Sequence, residues 1–350
     1  MVKVLMIGPN KLENGGISSV VNSYYDVGLD KDKNLQLTYL DTFKSGSLLK
    51  KISVFLKSII LFRNNIKEND IVHIHMSYRG SFYRKSIFVL MSKYKNKKVI
   101  IHIHGSEFKK FYDKSNNFIK KYIENTLNKA DYVLALSEEW RENLISIAPK
   151  SRVEILHNSI IVPKYDYKNY KFKNILFLGR LGKRKGVYDI LKVANSISSK
   201  FPDCKFILAG DGEIENVKKI CNDLSINNII IPGWISGYDK VNLLKEATIY
   251  ILPSYNEGMP ISILEAMAYK LPIISTKIGG IPQLIDNGVE GFLVDAGDIL
   301  GLENSINKLL ESEELRKNMG ENSFKKVEKD FNLVKNIEKL KSIYKSLIEE

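Results

Sequence analysis

One pattern governs the chain: a short run of Val, Ile and Leu, a glycine-bearing or polar turn, an amphipathic stretch, and then another apolar run. The first half offers such runs at Val2–Ile7, Leu35–Leu40, Ile71–His75, Val99–His104, Tyr132–Ser137 and Val153–Leu156. After a polar, proline-bearing stretch from Val162 to Lys171 the pattern restarts. Its runs are Asn174–Leu178, Lys205–Ala209, Ile229–Ile231, Ile249–Leu252, Pro272–Ser275 and Gly291–Val294. Strands covered by helices on both faces are apolar throughout, and a helix between consecutive strands makes them parallel. The alternation therefore predicts an α/β chain with two Rossmann-like, doubly wound domains. The expected boundaries are an N-terminal domain over 1–165, a C-terminal domain over 166–330, and a helix over 331–350 that returns to the N-terminal domain. A length of 350 residues suits two domains of about 150–200 residues each.

Open sheets of this kind bind ligands beyond the carboxyl ends of their strands, and two such domains facing each other would put those ends across a cleft. The chemically loaded residues do sit after strands. Gly15-Gly16 follow the first run and His104-Gly105 close the fourth. Gly179-Arg180-Leu181-Gly182-Lys183-Arg184-Lys185-Gly186 follows Asn174–Leu178, and Glu257 follows Ile249–Leu252.

The charge of +13 is concentrated: Lys44 to Lys121 holds eighteen basic and four acidic residues, an excess larger than that of the whole chain. Such a field implies an anionic partner, whether nucleic acid, an anionic lipid surface or a polyphosphate. The stacking motifs of the known nucleic-acid modules are absent, so nucleic acid is not expected. Ser47–Arg63 is amphipathic, with Leu48, Leu49, Ile52, Phe55, Leu56, Ile59 and Ile60 on one stripe. The simpler expectation is a helix packed on its own sheet with lysines outward; the other is a helix lying on an anionic bilayer. Two cysteines, Cys204 and Cys221, make no disulfide framework and suit a reducing compartment. The N-terminus reads as a buried strand and lacks a signal region, and no run reaches the roughly 18 apolar residues of a spanning helix. A cytoplasmic protein with peripheral contact to the inner face of the cell membrane is expected.

Three motifs point to a phosphorylated ligand. In Asn256–Ala268 a Gly-Met-Pro turn separates Glu257 from a helix carrying Glu265. A helix N-terminus suits a phosphate, and a carboxylate accepts from a ribose diol. Taken alone, the pair also reads as a capped surface helix with two acids. The second motif, Arg180 to Gly186, interleaves four cations with glycines and suits a diphosphate. The third, Gly15-Gly16 before a helix, is neither a Walker A loop nor a G-x-G-x-x-G turn; it reads equally as a phosphate approach or an ordinary βα loop. The histidines stand as His73-Ile74-His75 and His102-Ile103-His104. Alternation puts each pair on one face, an arrangement that zinc can use, but no carboxylate or thiol joins them and no metal is expected. His104 differs in closing its strand before a glycine.

Together these residues resemble the retaining glycosyltransferases of the GT-B fold, family 4 (glycosyltransferase group 1). The resemblance is closest from Asn174 to Asp298. It rests on Phe177-Leu178-Gly179-Arg180, Lys185-Gly186, Leu208-Ala209-Gly210-Asp211-Gly212-Glu213, Leu252-Pro253-Ser254, Glu257-Gly258-Met259-Pro260, Glu265-Ala266-Met267-Ala268 and Gly279-Gly280. In the first half it rests on Gly15-Gly16-Ile17, His104-Gly105 and His157-Asn158-Ser159-Ile160. In the last of these His157 and Ser159 replace the family's proline and glycine.

The resemblance implies roles. Arg180 and Lys185 bind the donor diphosphate and neutralise the leaving group, and Glu265 takes the ribose hydroxyls. Glu257 sits at the donor sugar, with the backbone of Gly258, Met259, Pro260 and Ile261 at sugar and phosphate. His104 touches the sugar, and Gly15 and Gly16 approach the phosphates or the acceptor. The nucleoside-diphosphate sugar is a substrate; no cofactor or metal is expected, because fixed cations stabilise the departing phosphate. The expected acceptor is a saccharide, carried on a polyprenyl diphosphate at an anionic membrane, within O-antigen, capsule or exopolysaccharide assembly. A nucleotide-sugar epimerase of the same architecture and a non-catalytic nucleotide-sugar binder are the competing classes.

Overall fold

The computed structural model describes residues 1–164 and 168–349. It divides into two compact units, Met1–Ile161 with Leu333–Glu350, and Val162–Asn332. The expected join between residues 165 and 166 lies outside the described residues.

The first unit is built on six parallel strands: β1 (Val2–Gly8), β2 (Leu35–Asp41), β3 (Ile71–Met76), β4 (Lys98–Ile103), β5 (Tyr132–Ala135) and β6 (Arg152–Ile155), in the order β2-β1-β3-β4-β5-β6. Every residue of β3 is buried, as a strand covered on both faces requires. The chain steps from β1 outward to β2, then crosses back to β3 on the other side of β1. That reversal opens a crevice between the carboxyl ends of β1 and β3.

The second unit repeats the plan with β7 (Asn174–Leu178), β8 (Lys205–Ala209), β9 (Ile229–Gly233), β10 (Ile249–Leu252), β11 (Ile273–Thr276) and β12 (Gly291–Val294). These are also parallel, in the order β12-β11-β10-β7-β8-β9. Here the reversal falls between β7 and β10, so the loops after those two strands flank the crevice. All twelve strands coincide with the apolar runs of the sequence, to within a few residues at their ends.

The final helix, Leu333–Glu349, belongs to the first unit. Leu340, Tyr344 and Leu347 are buried along one face. Asn336 donates to the carbonyl of His157 at 2.7 Å, and Lys341 pairs with Asp32 at 2.5 Å. Tyr344 Oη lies 2.6 Å from His73 Nδ1 inside the sheet's helix layer.

One expectation needs correction. The helix Leu48–Asn65 starts at Ser47, whose Oγ accepts from the amide of Lys50 at 3.3 Å. Only part of its apolar surface packs inward. Phe62 is buried and meets Phe88 at 5.0 Å between ring centroids, while Phe55 and Ile59 lean on the same core. Leu48 and Leu49 remain 71% and 79% exposed, and Ile52, Leu56 and Ile60 are exposed with them. The apolar arc is wider than the single stripe that a core can cover, so the helix is not simply a packed helix with a lysine face.

Replacing Tyr344 by Phe removes the partner of a buried imidazole nitrogen. An unpaired buried polar group costs about 1–3 kcal/mol. Urea unfolding of Tyr344→Phe is expected to shift to a lower midpoint with little change in slope; an unchanged midpoint would show that the bond contributes nothing.

Candidate functional site

The loops after β7 and β10 converge on one carboxylate. After β7 the chain is tied to the loop after β8, since the amide of Leu181 bonds Asp211 O at 2.6 Å and that of Glu213 bonds Leu181 O at 2.9 Å. Lys183–Lys185 then form one tight turn that ends at Gly186, with φ +73°. A Cβ at Gly186 would stand 1.9 Å from Pro253 O, so only glycine lets this basic turn lie against the loop after β10. The amide of Tyr255 closes the contact by bonding Arg184 O at 2.8 Å.

Lys185 Nζ consequently reaches Glu257 Oε1 at 2.5 Å. Ser254 Oγ donates to the same oxygen at 2.8 Å, and Arg184 Nη1 lies 3.9 Å from it. The side chains of Glu257 and Lys185 are only 8% and 14% exposed. Burying such a pair costs desolvation on both sides, which close geometry and added hydrogen bonds must offset. Arg184 also donates to Asn256 O at 3.0 Å and so anchors the loop that carries Glu257.

Beneath this loop lie Gly279 and Gly280. A Cβ on Gly279, at φ +52°, would be 2.0 Å from Glu257 O, and the Gly280 amide bonds Gly258 O at 2.6 Å. The paired glycines let the backbone of Glu257-Gly258 settle onto the segment after β11. Met259 is buried, and Pro260 precedes the helix Ile261–Ala268. Proline has no N–H, so the expected amides from 258 to 261 number three, not four. Glu265, one turn into the helix, accepts from Lys240 Nζ at 2.6 Å. Arg180 points outward, largely exposed, 3.5 Å from Asp211. The second unit thus gathers Lys185, Glu257 and the turn from Gly258 to Ile261, with Glu265 one helical turn on and Arg180 at its margin.

The first unit carries the other candidates. Gly15 and Gly16 open the helix Gly16–Asp26, and a Cβ on either would meet nothing within 4 Å. Neither is required by crowding or by a left-handed backbone; they leave open space beside the loop. That loop is braced by Asn10, whose Nδ2 donates to Asp41 Oδ2 at 2.6 Å and whose Oδ1 accepts from the Leu12 amide at 2.9 Å. His104 stands just past β4, its amide still bonding Met76 O at 2.8 Å. Gly105 follows it because a Cβ there would strike Ser77 Oγ at 2.5 Å. Burial, with His102, Lys85 and His73 adding, holds the His104 imidazole well below its usual range and therefore neutral.

His73, His75 and His102 bring ring nitrogens within 4.8 Å of one another. His73 lies over His75 at 4.5 Å with planes 21° from parallel, and His102 over His104 at 4.0 Å and 36°. Lys85 lies beside them: it is buried and bonds His75 O, and burial, then Arg84, pushes its pKa down to about 7. A D-x-D triplet, Asp30-Lys31-Asp32, lies in the first unit, where Asp30 acts on Lys11 of the loop before Gly15 and Asp32 pairs with Lys341 at 2.5 Å.

Comparison with known proteins gives the family and the fold. Residues 165–326 match the model of glycosyl transferases group 1, and residues 28–162 match that of glycosyltransferase family 4. The chain is a family 4 glycosyltransferase. It is similar to the UDP-Gal:alpha-D-GlcNAc-diphosphoundecaprenol alpha-1,3-galactosyltransferase of Escherichia coli, 27% identical over 98% of this chain and 95% of that one. In fold it resembles the sucrose-phosphate synthase of Thermosynechococcus elongatus, with a TM-score of 0.82 at 14% identity and complete coverage of both chains. It also resembles Anabaena Alr3699/HepE in complex with UDP-glucose, with a TM-score of 0.78 at 16% identity, covering 99% of this chain and 100% of that one. The two six-stranded parallel sheets are those of a GT-B glycosyltransferase.

In the sequence of this glycosyltransferase Arg184, Ser254 and His75 stand inside motifs without a role of their own, and nothing marks Lys240. Arg184 lay in a basic run where Lys185 took the attention. Lys240 and His75 gain their roles through contacts across the fold, and Ser254 through the turn that brings it back onto Glu257.

Gly279→Ala is expected to lower stability by about 1–3 kcal/mol, because the left-handed backbone and the overlap with Glu257 O both oppose a side chain. It should also weaken nucleotide binding by displacing Glu257. Thermal unfolding and a binding isotherm check this; wild-type values in both would show that the close approach is unimportant.

Proposed function

We propose that this glycosyltransferase moves a sugar, with retention of anomeric configuration and without a metal, from a uridine-diphosphate sugar to a polyprenyl-diphosphate-linked saccharide in bacterial surface polysaccharide assembly. The observation that carries the reading is the cluster of Lys185, Arg184 and Glu257 in the crevice between β7 and β10. Bond cleavage at the anomeric carbon leaves negative charge on the diphosphate. Cations already fixed beside that oxygen lower the barrier without reorganising. Lys185 is held by Glu257 before any ligand arrives, and Arg180, exposed at the rim, is available to fold over the phosphates. Glu265 lies one helical turn further, paired with Lys240 from the helix Gly237–Glu246, and suits a ribose.

Retention through a carboxylate nucleophile would ask much of Glu257. Its Oε1 already accepts from Lys185 and Ser254, and a carboxylate so stabilised is a weak nucleophile. This favours attack on the same face as the departing diphosphate, with the leaving phosphate assisting the incoming hydroxyl.

Two observations support the acceptor side of the reading. The relative from Escherichia coli bears a diphosphoundecaprenol acceptor in its name. On the first unit, exposed Leu48, Leu49, Ile52, Leu56 and Ile60 lie on one helix with exposed Lys50, Lys51 and Lys57, a surface suited to anionic headgroups. Among the described residues no helix is long and apolar enough to cross a membrane.

Lys185→Ala is expected to lower kcat by roughly 100-fold or more while the protein stays folded by circular dichroism. Wild-type turnover would remove the phosphate role. Chelation of divalent cations is expected to leave the wild-type rate unchanged, and loss of activity restored by Mg²⁺ would overturn metal independence. For the membrane side, sedimentation should show more protein on anionic than on neutral vesicles at low salt, reduced in Leu48→Glu/Leu49→Glu; equal binding to both vesicles would count against it.

A further inference from the structure

Strands β3 and β4 carry His73, His75 and His102, His104 follows just past β4, and among the described residues one bond joins two of these rings edge to edge. His75 Nδ1 lies 2.9 Å from His104 Nε2, with ring centroids 5.1 Å apart and planes 26° from parallel. That centroid spacing is close to the nitrogen–nitrogen distance plus two ring radii. The bond therefore runs nearly in both ring planes, where N–H groups and nitrogen lone pairs lie. Both rings are neutral, since burial, joined by their charged and histidine neighbours, pushes each well below the usual imidazole range. A single proton sits between the two nitrogens, and its owner decides the tautomer of each ring.

The surroundings of His75 decide it. The ring is fully buried, and its Nε2 has no partner among the described residues. If the proton between the rings belonged to His104, His75 would bury its own N–H at Nε2 with no acceptor. If it belongs to His75, only a lone pair is left unpaired there. A buried N–H without an acceptor is the rarer and costlier case. His102, packed against His104 at 4.0 Å with the rings tilted by 36°, and the His104 amide bonded to Met76 O at 2.8 Å hold the second ring in place to receive it.

We propose that His75 is a positioning residue which donates its Nδ1–H to His104 Nε2 and so fixes His104 as the Nδ1–H tautomer. His104 then meets its ligand as a hydrogen-bond donor, suited to a sugar hydroxyl oxygen or a phosphate oxygen and unable to act as a base through Nε2. The ligand rests on the functional reading above; the tautomer does not.

The test is nitrogen NMR of protein labelled with ¹⁵N-histidine. The chain has five histidines, so His104 can be assigned by its loss in His104→Ala. Unliganded wild-type protein is expected to show His104 with a protonated Nδ1 and a bare Nε2. His75→Leu should turn that signature into a mixture. His75→Asn, whose amide nitrogen stands near the place of Nδ1, should preserve it. With UDP-sugar and acceptor, His75→Leu is expected to lower kcat roughly 10- to 100-fold with a smaller change in KM, and His75→Asn to recover most of the loss. A protonated Nε2 on His104 in the wild-type protein overturns the proposal, as does wild-type kcat in folded His75→Leu. Wild-type turnover in His104→Ala would instead remove the transfer role of His104, and the labelled spectrum would still decide the tautomer.

Discussion

Glu257 lies buried in the second unit with Lys185 Nζ against its Oε1 at 2.5 Å, and the surrounding loops are shaped to make that contact. Gly186 gives the basic turn its left-handed exit and its close approach to Pro253, and Gly279 lets the Glu257 carbonyl settle. Ser254 supplies a further donor, and Arg184 ties down Asn256. Removing either partner would strand a charge in a largely buried site, which is costlier than losing an exposed ion pair. The pair thus holds the two loops together and aims a cation into the crevice where the strand order reverses.

The two units use the same topology for different chemistry. In the second, the reversal between β7 and β10 gathers fixed charge suited to a diphosphate. In the first, the reversal lies between β1 and β3, and β4, next to β3, is followed by a neutral histidine held by other histidines. Neutral rings and uncrowded glycines provide hydrogen bonds and space rather than charge. The positive charge of this unit lies outward instead, along the helix Leu48–Asn65, beside apolar side chains that no core covers.

Much of this was legible in the sequence. Continuous apolar runs mark strands buried on both faces, so all twelve strands could be placed, and the position after a strand picked out Arg180, Lys185, Glu257 and His104. The pairings were not legible. Lys185 and Glu257 are 72 residues apart and meet only because β7 and β10 are neighbours, which follows from strand order and not from any local pattern. The His75–His104 bond likewise depends on the register of β3 against β4. Helical periodicity gave the apolar arc of Leu48–Asn65 correctly, but periodicity shows only that an arc exists, and how much of it is covered depends on the neighbouring elements.

The central claim is that Lys185, held by Glu257, is the cation that receives the donor diphosphate. A binding isotherm for UDP with wild-type protein and Lys185→Ala tests it without any acceptor or turnover. A charge-assisted hydrogen bond contributes about 1.5–3 kcal/mol, so the account predicts that Kd rises roughly 10- to 150-fold in the variant. Equal Kd values in two folded proteins would contradict it.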